Sequence, residues 1–357
     1  MKTVSRLTRA GRLLDATKFI QTALSPDQHV TPKNENLTRK LHAPIRRSRP
    51  LGEVITKLRE FPPKIRRTVK TTKKKPLDPQ FQDGSFTCAA GTRSYKIYVP
   101  KSLPEQGRGL VVMLHGCTQN ADDFAAGTRM NKIAEREGLL VAYPNQTRQS
   151  NSSGCWNWFS PRDQSCGSGE PSIIAGLTSE IITRFSVDPG SVFIAGMSAG
   201  GAMAVIMGHT YPELYSAIGV HSGLPYQSAH DVISAFAAMS GKSKSAKSAL
   251  KSRVIVFHGE ADTTVHPSNA LAIVASGNQA KELTATVHLI DGRKYKRTRV
   301  EDHSKLPLSE LWLIEEAGHT WSGGSAAGSY TDIKGPDASK EMIRFFLGDR
   351  KLADHEK

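Results

Sequence analysis

No apolar run in this 357-residue chain approaches the roughly 18 residues that a membrane-spanning helix needs, so none is expected. Cysteine is scarce. Cys88, Cys117, Cys155 and Cys166 are the four, and their spacings match no zinc or CxxC redox pattern, so no metal is expected. If all four are oxidised, three pairings are open, and such a count suits an extracytoplasmic enzyme and a cytosolic one equally. Acidic residues are rare in the first part of the chain. Residues 1–80 hold 20 Lys+Arg against 6 Asp+Glu, leaving 28 against 27 of the chain's 48 and 33 for residues 81–357. The net charge of +15 therefore belongs to an arm, and the rest is nearly neutral.

That arm is short of aromatic interleaving, so no specific nucleic-acid partner is expected. Contact of residues 1–80 with an anionic surface is the sharper reading of the charge, and plain solvation the simpler one. Within it, Leu7, Leu13, Leu14, Phe19, Ile20 and Leu24 are interrupted by Arg9, Arg12, Asp15 and Lys18, which is not the continuous core of a secretory leader. Their spacing predicts an amphipathic helix over about 5–24. Residues 25–80, with Pro, Asn and the run Lys73, Lys74, Lys75, read as a disordered tether.

From Phe86 the texture changes to short β-branched or apolar runs alternating with helical spacing, which argues for a parallel sheet with crossover helices. A catalytic domain is expected over 81–350, with a tail at 351–357. Strands are predicted at 95–99, 110–114, 139–143, 192–195, 217–221, 254–258 and 311–314, the last two completing the sheet. Helices are predicted at 122–136, 171–185, 200–210 and 336–346, with surface helix and loop over 227–252. Strand carboxyl ends then share one edge, where ligands bind in open sheets.

The strongest local signal is Gly196-Met197-Ser198-Ala199-Gly200, with an apolar strand before it and an Ala/Met-rich helix after it. This is the pattern of a nucleophile elbow, and it makes an α/β-hydrolase fold the expectation: a mostly parallel central sheet flanked by helices, with the basic arm outside it. A serine hydroxyl needs a base, and His319, after the last strand, fits best. His115, His221, His258, His266, His288 and His303 are rivals, of which His115, His221 and His258 end strands and read equally as structural. The carboxylate that orients the base should follow the penultimate strand, where Asp262 lies, with Glu260 its rival. Backbone donors for the developing oxyanion are expected from Ala199 and from Cys117, with Thr118 the alternative to Cys117. Cys117 is not expected to be a second nucleophile. Trp156 and Trp321 are candidates to line an apolar ester cleft or to roof the core.

These residues resemble the esterases related to extracellular poly(3-hydroxybutyrate) depolymerases, a group that includes feruloyl and acetylxylan esterases. The resemblance runs from about Ala90 to Leu347. It is carried by AAGTRSYKIYVP, VVMLHGCTQNADDFAAGTRMNKIAEREGLLVAYPNQ, CWNWF, GEPSIIAGL, GMSAGGAMA, GVHSGLPY, VFHGEADTTVHPSN and GHTWSGGSAAGSYTDIKGPDAS. It implies a Ser198, Asp262 and His319 triad, an oxyanion loop at HGC, and cofactor-free hydrolysis of short-chain polyhydroxyalkanoate or related esters through an acyl-enzyme. The arm falls outside the shared region, and neither a threonine-rich linker nor a terminal polymer-binding domain is legible. Those departures weigh against crystalline extracellular polymer as the substrate and leave soluble oligomers, amorphous granules and small esters open. Cys88 and Cys166 lie outside the family motifs, and a bridge between them is the pairing that remains to be tested.

Overall fold

Odd and even residues of the central strands part company, and that alternation builds the domain. Leu110, Val112 and Leu114 face one apolar layer, while Val111 and Met113 face another, all of them fully buried. A strand buried on both faces reads as a continuous apolar run, and each large side chain removed from water contributes about 1.5–3 kcal/mol. The computed structural model describes residues 80–101, 103, 108–242, 250–276, 282–301 and 307–348. The predicted helix at 5–24, the tether up to residue 79 and the tail at 351–357 lie outside the described residues.

The strands are β1 (Phe81–Cys88), β2 (Gly91–Tyr98), β3 (Arg108–Leu114), β4 (Leu139–Pro144), β5 (Val187–Met197), β6 (Ala217–His221), β7 (Arg253–Gly259), β8 (Glu282–Ile290), β9 (Arg293–Glu301) and β10 (Pro307–Ile314). They form one sheet in the order β1-β2-β4-β3-β5-β6-β7-β10-β9-β8. The six strands from β4 to β10 in that order are parallel, with antiparallel pairs at both edges. Two short strands, β11 (Trp321–Ser322) and β12 (Thr331–Asp332), pair separately.

Helices α1 (Ala121–Thr128) and α2 (Met130–Glu137) cover one face together with α7 (Ala338–Leu347). On the other face lie α3 (Gly169–Phe185), α4 (Ala199–Thr210), α5 (Val232–Met239) and α6 (Ser268–Ala275). The fold is the expected one, with two corrections. Strands β7 and β10 do not complete the sheet, because the β8–β9 hairpin adds two strands beyond β10. The single helix predicted over 122–136 is broken at Arg129, a left-handed residue at φ 56°. Its guanidinium reaches the Gly323 carbonyl and, at 3.0 Å, Asp337. The break thus anchors the chain that follows the expected base.

Candidate active site

The elbow is built by steric exclusion. A Cβ on Gly196 would lie 2.4 Å from the Gly200 carbonyl, and one on Gly200 would lie 2.0 Å from the Leu114 carbonyl oxygen. Only glycine permits β3, β5 and the first turn of α4 to approach that closely. Ser198, between them, sits at φ 56° and ψ −120°, a strained conformation for a non-glycine residue. Its N–H donates to the His221 carbonyl at 2.9 Å, and its own carbonyl accepts from Ala202. The side chain is left partly exposed at the carboxyl end of β5.

Asp262 lies in the turn after β7, its side chain fully buried. Its Oδ1 accepts the amides of Thr264 and Val265 at 2.9 Å each. Its Oδ2 meets His319 Nδ1 at 2.7 Å and His258 Nε2 at 3.3 Å. Burial pushes this carboxyl up, but the bonds from His258 and His319, the charge of His319 and the Val265 amide outweigh it, and the group is held well below the usual carboxylate range. Glu260, the rival, is exposed.

The loop that carries His319 is fastened to the Asp262 turn through backbone. Glu260 N–H donates to the Ile314 carbonyl at 2.9 Å and Ala261 N–H to the Ala317 carbonyl at 3.0 Å. A Cβ on Gly259 would come within 2.2 Å of that Ala317 oxygen, so this glycine makes the approach feasible. The His319 side chain remains 13% exposed, enough to meet a ligand while its Nδ1 is committed to the carboxylate.

The other histidines divide. His115 donates through Nδ1 to the Gly116 carbonyl at 2.7 Å and accepts the Gln146 amide on Nε2 at 3.1 Å, and burial lowers its pKa. His221 accepts the Ser322 amide on Nε2 at 3.0 Å, and burial, followed by the nearby His258 and His319, pushes its pKa down to about 3. Both are structural acceptors. His221 has a further consequence, since its carbonyl holds Ser198 and its ring holds the chain three residues past His319. His266 bonds the neighbouring Ser268, His288 stacks on Tyr295 at the sheet edge, and His303 lies outside the described residues.

The loop after β3 lies against the elbow, for a Cβ on Gly116 would be 3.6 Å from Ser198 Cβ. Gln119 Oε1 accepts the Gly116 amide at 2.9 Å, while Gln119 Nε2 donates to Asp123 and to the Ser329 carbonyl. The Thr118 amide is already engaged by the Ser153 carbonyl at 2.9 Å, which removes it as the alternative oxyanion donor. Cys117 is tied to Cys155 by a disulfide across 38 positions, so it is no nucleophile. Cys88 and Cys166 are both free, and the bridge between them is not formed. Sequence spacing could not choose among the pairings, because the choice depends on how the 147–159 loop folds over the oxyanion loop.

That loop hangs on Glu170. The carboxylate accepts from Asn157 N–H at 2.7 Å, from Asn157 Nδ2, from Gln146 Nε2, and from Arg93 at 3.2 Å. Trp156 and Trp321 are 0% and 1% exposed, and Trp321 packs edge-on against Phe124 and stacks on His221. Of the two roles open to these indoles, roofing the core is the one their burial fits. Sequence reasoning missed Tyr330, 47% exposed, whose hydroxyl lies 3.2 Å from Thr118 Oγ1 beside the oxyanion loop. Among the described residues there is no group of three or more His, Cys, Asp or Glu arranged to hold a metal ion, and no helix is long and apolar enough to cross a membrane.

Residues 93–299 match the family model described as esterase PHB depolymerase. The chain belongs to that family. Among its relatives is the poly(3-hydroxyalkanoate) depolymerase C of Paucimonas lemoignei, 31% identical over 67% of this chain and 61% of the relative. The acetylxylan esterase A of Talaromyces purpureogenus is 35% identical over 51% of each. This family member thus spans between half and two thirds of the length of those relatives. Its fold matches that of an acetyl xylan esterase from Aspergillus awamori, with a TM-score of 0.56 and 22% identity over 71% of this chain and 94% of the other.

Proposed function

We propose that this chain is a serine esterase that hydrolyses short-chain polyhydroxyalkanoate or related carboxylic esters. The observation that carries the proposal is the 2.7 Å contact of His319 Nδ1 with a fully buried Asp262 carboxylate, in a chain whose Ser198 occupies a glycine-framed elbow. Asp262 fixes the imidazole with Nδ1 protonated, which leaves Nε2 as the base for the Ser198 hydroxyl. The Ser198 oxygen attacks the ester carbonyl, and the oxyanion is met by the amides of Ala199 and Cys117. His319 then passes the proton to the departing alkoxide. Water, activated by the same imidazole, releases the acid and frees the serine.

The named activities of the relatives divide between polyester and acetylated xylan, so a carbohydrate ester is the second reading. A panel of polyhydroxybutyrate, its soluble oligomers, methyl ferulate and acetylated xylan separates the two by kcat/KM. The basic charge of residues 1–80 supports a further role for that segment in holding an anionic surface. A chain lacking 1–80 should keep soluble-ester turnover and lose any salt-sensitive surface binding. The primary test is Ser198→Ala with a short-chain nitrophenyl ester. Turnover should vanish while the thermal unfolding midpoint stays in place, and unchanged turnover would end the proposal.

A further inference from the structure

The buried imidazole of His258 has no part in the mechanism above, yet it touches the triad carboxylate. It is the penultimate residue of β7 and is 0% exposed. Its Nε2 lies 2.8 Å from the Val265 carbonyl and 3.3 Å from Asp262 Oδ2. Both neighbours are acceptors only, so Nε2 carries the proton and forks between them, with the stronger arm to Val265. Its Nδ1 is buried with no hydrogen-bond partner. An apolar side chain would avoid that orphan, so packing alone does not account for an imidazole at this place.

We infer that His258 is a positioning residue for the esterase reaction, pinning the Asp262 turn so that the carboxylate presents Oδ2 to His319. Two links carry its influence. The bond to the Val265 carbonyl fixes the peptide segment whose own N–H donates to Asp262 Oδ1 at 2.9 Å. The second arm of the fork places a donor beside the same oxygen that His319 uses at 2.7 Å. With Thr264 N–H also on Oδ1, the carboxylate is met from four sides and has little freedom to rotate away from His319. A carboxylate that rotates would leave the imidazole in the wrong orientation or tautomer, which lowers kcat without altering how the ester binds.

The inference rests on the triad reading, and its test separates the two. His258→Leu should lower kcat about 10- to 100-fold, the effect of losing a hydrogen bond to a charged group, with KM changed less than about two-fold. His258→Gln, whose amide nitrogen reaches the place of Nε2, should restore most of kcat, and His258→Asn, one methylene shorter, should not. Should His258→Leu fail to fold, the Gln and Asn variants decide the matter alone. In an Asp262→Asn background, His258→Leu should change kcat by less than about two-fold, because the residue acts through that carboxylate. Equal kcat across the variants, or the full loss repeated in the Asp262→Asn background, overturns the inference. Where Ser198→Ala on its own abolishes turnover, either of those results leaves the triad reading intact.

Discussion

Two of the carboxylates buried in this domain, Asp262 and Glu170, each sit among several donors, and their protonation equilibria move in opposite directions. Asp262, in the turn after β7, is held below the usual range, whereas Glu170, at the start of α3, is raised. Burial works against the charge at both. Asp262 answers it with two backbone amides and two imidazoles. Glu170 has one backbone amide, two side-chain amides and the Arg93 guanidinium at 3.2 Å, but Asp163 also faces it and accepts the Glu170 N–H. Burial comes first for Glu170, and the neighbouring charge of Asp163 adds to it against the bonds from Asn157 and Gln146. The number of donors does not decide ionisation; at Glu170 burial and the company of Asp163 outweigh even a guanidinium. One region is organised to keep an anion, the other to hold a loop.

The largest effect should come from removing the anion that is kept. Asp262→Asn should lower kcat about 10⁴-fold against a nitrophenyl ester, by allowing the wrong imidazole tautomer. Glu170→Ala tests the other half. It strands the Arg93 charge and the Asn157 amide inside the protein, and it should cost about 3–5 kcal/mol in denaturant unfolding. Unfolding like that of the wild type would mean that the 147–159 loop needs no such anchor. The disulfide that joins this loop to the oxyanion loop comes next. Replacing Cys117 and Cys155 together by alanine should cost about 2–4 kcal/mol of stability. It should also lower kcat, because the Cys117 amide would lose the loop that braces it.

Part of this was legible in the sequence because the physical demands are local. Gly196 and Gly200 must lack side chains for strand and helix to meet, so the elbow can be read from five residues. Chain order then identifies His319 and Asp262, which the structure brings together. The β8–β9 hairpin was overlooked although its signal is local too: Asp291-Gly292, both at positive φ, lie between alternating segments. The break at Arg129 was not legible. A left-handed arginine is held there by Gly323 and Asp337, and Gly127 before it is needed because a Cβ would meet Thr331 at 2.9 Å. The burial of Trp156 and Trp321 and the partner of Cys117 depend likewise on loops from distant parts of the chain. His258 reads as one more strand-end histidine until the turn beyond it is seen to fold back.

The smallest effects sharpen the comparison most, because they concern sign. For Asp262 the folded pKa lies below the unfolded one. Between the two the unfolded chain binds more protons, so stability rises with pH and is fully present above about 4, the unfolded value. For Glu170 the folded pKa lies above the unfolded one, so over the interval above about 4 the folded state binds more protons and stability falls as pH rises. Glu170→Gln mimics the protonated form and keeps an acceptor for the Asn157 amide. Its unfolding free energy relative to wild type should therefore improve as pH climbs from 4 toward neutrality, whereas that of Asp262→Asn should worsen as pH climbs from 2 to 4 and then level off. Denaturant unfolding of the three proteins across that range reads both slopes. Parallel slopes for the two variants would show that the donors around these carboxylates are equivalent after all, and that Asp163 has no influence on its neighbour.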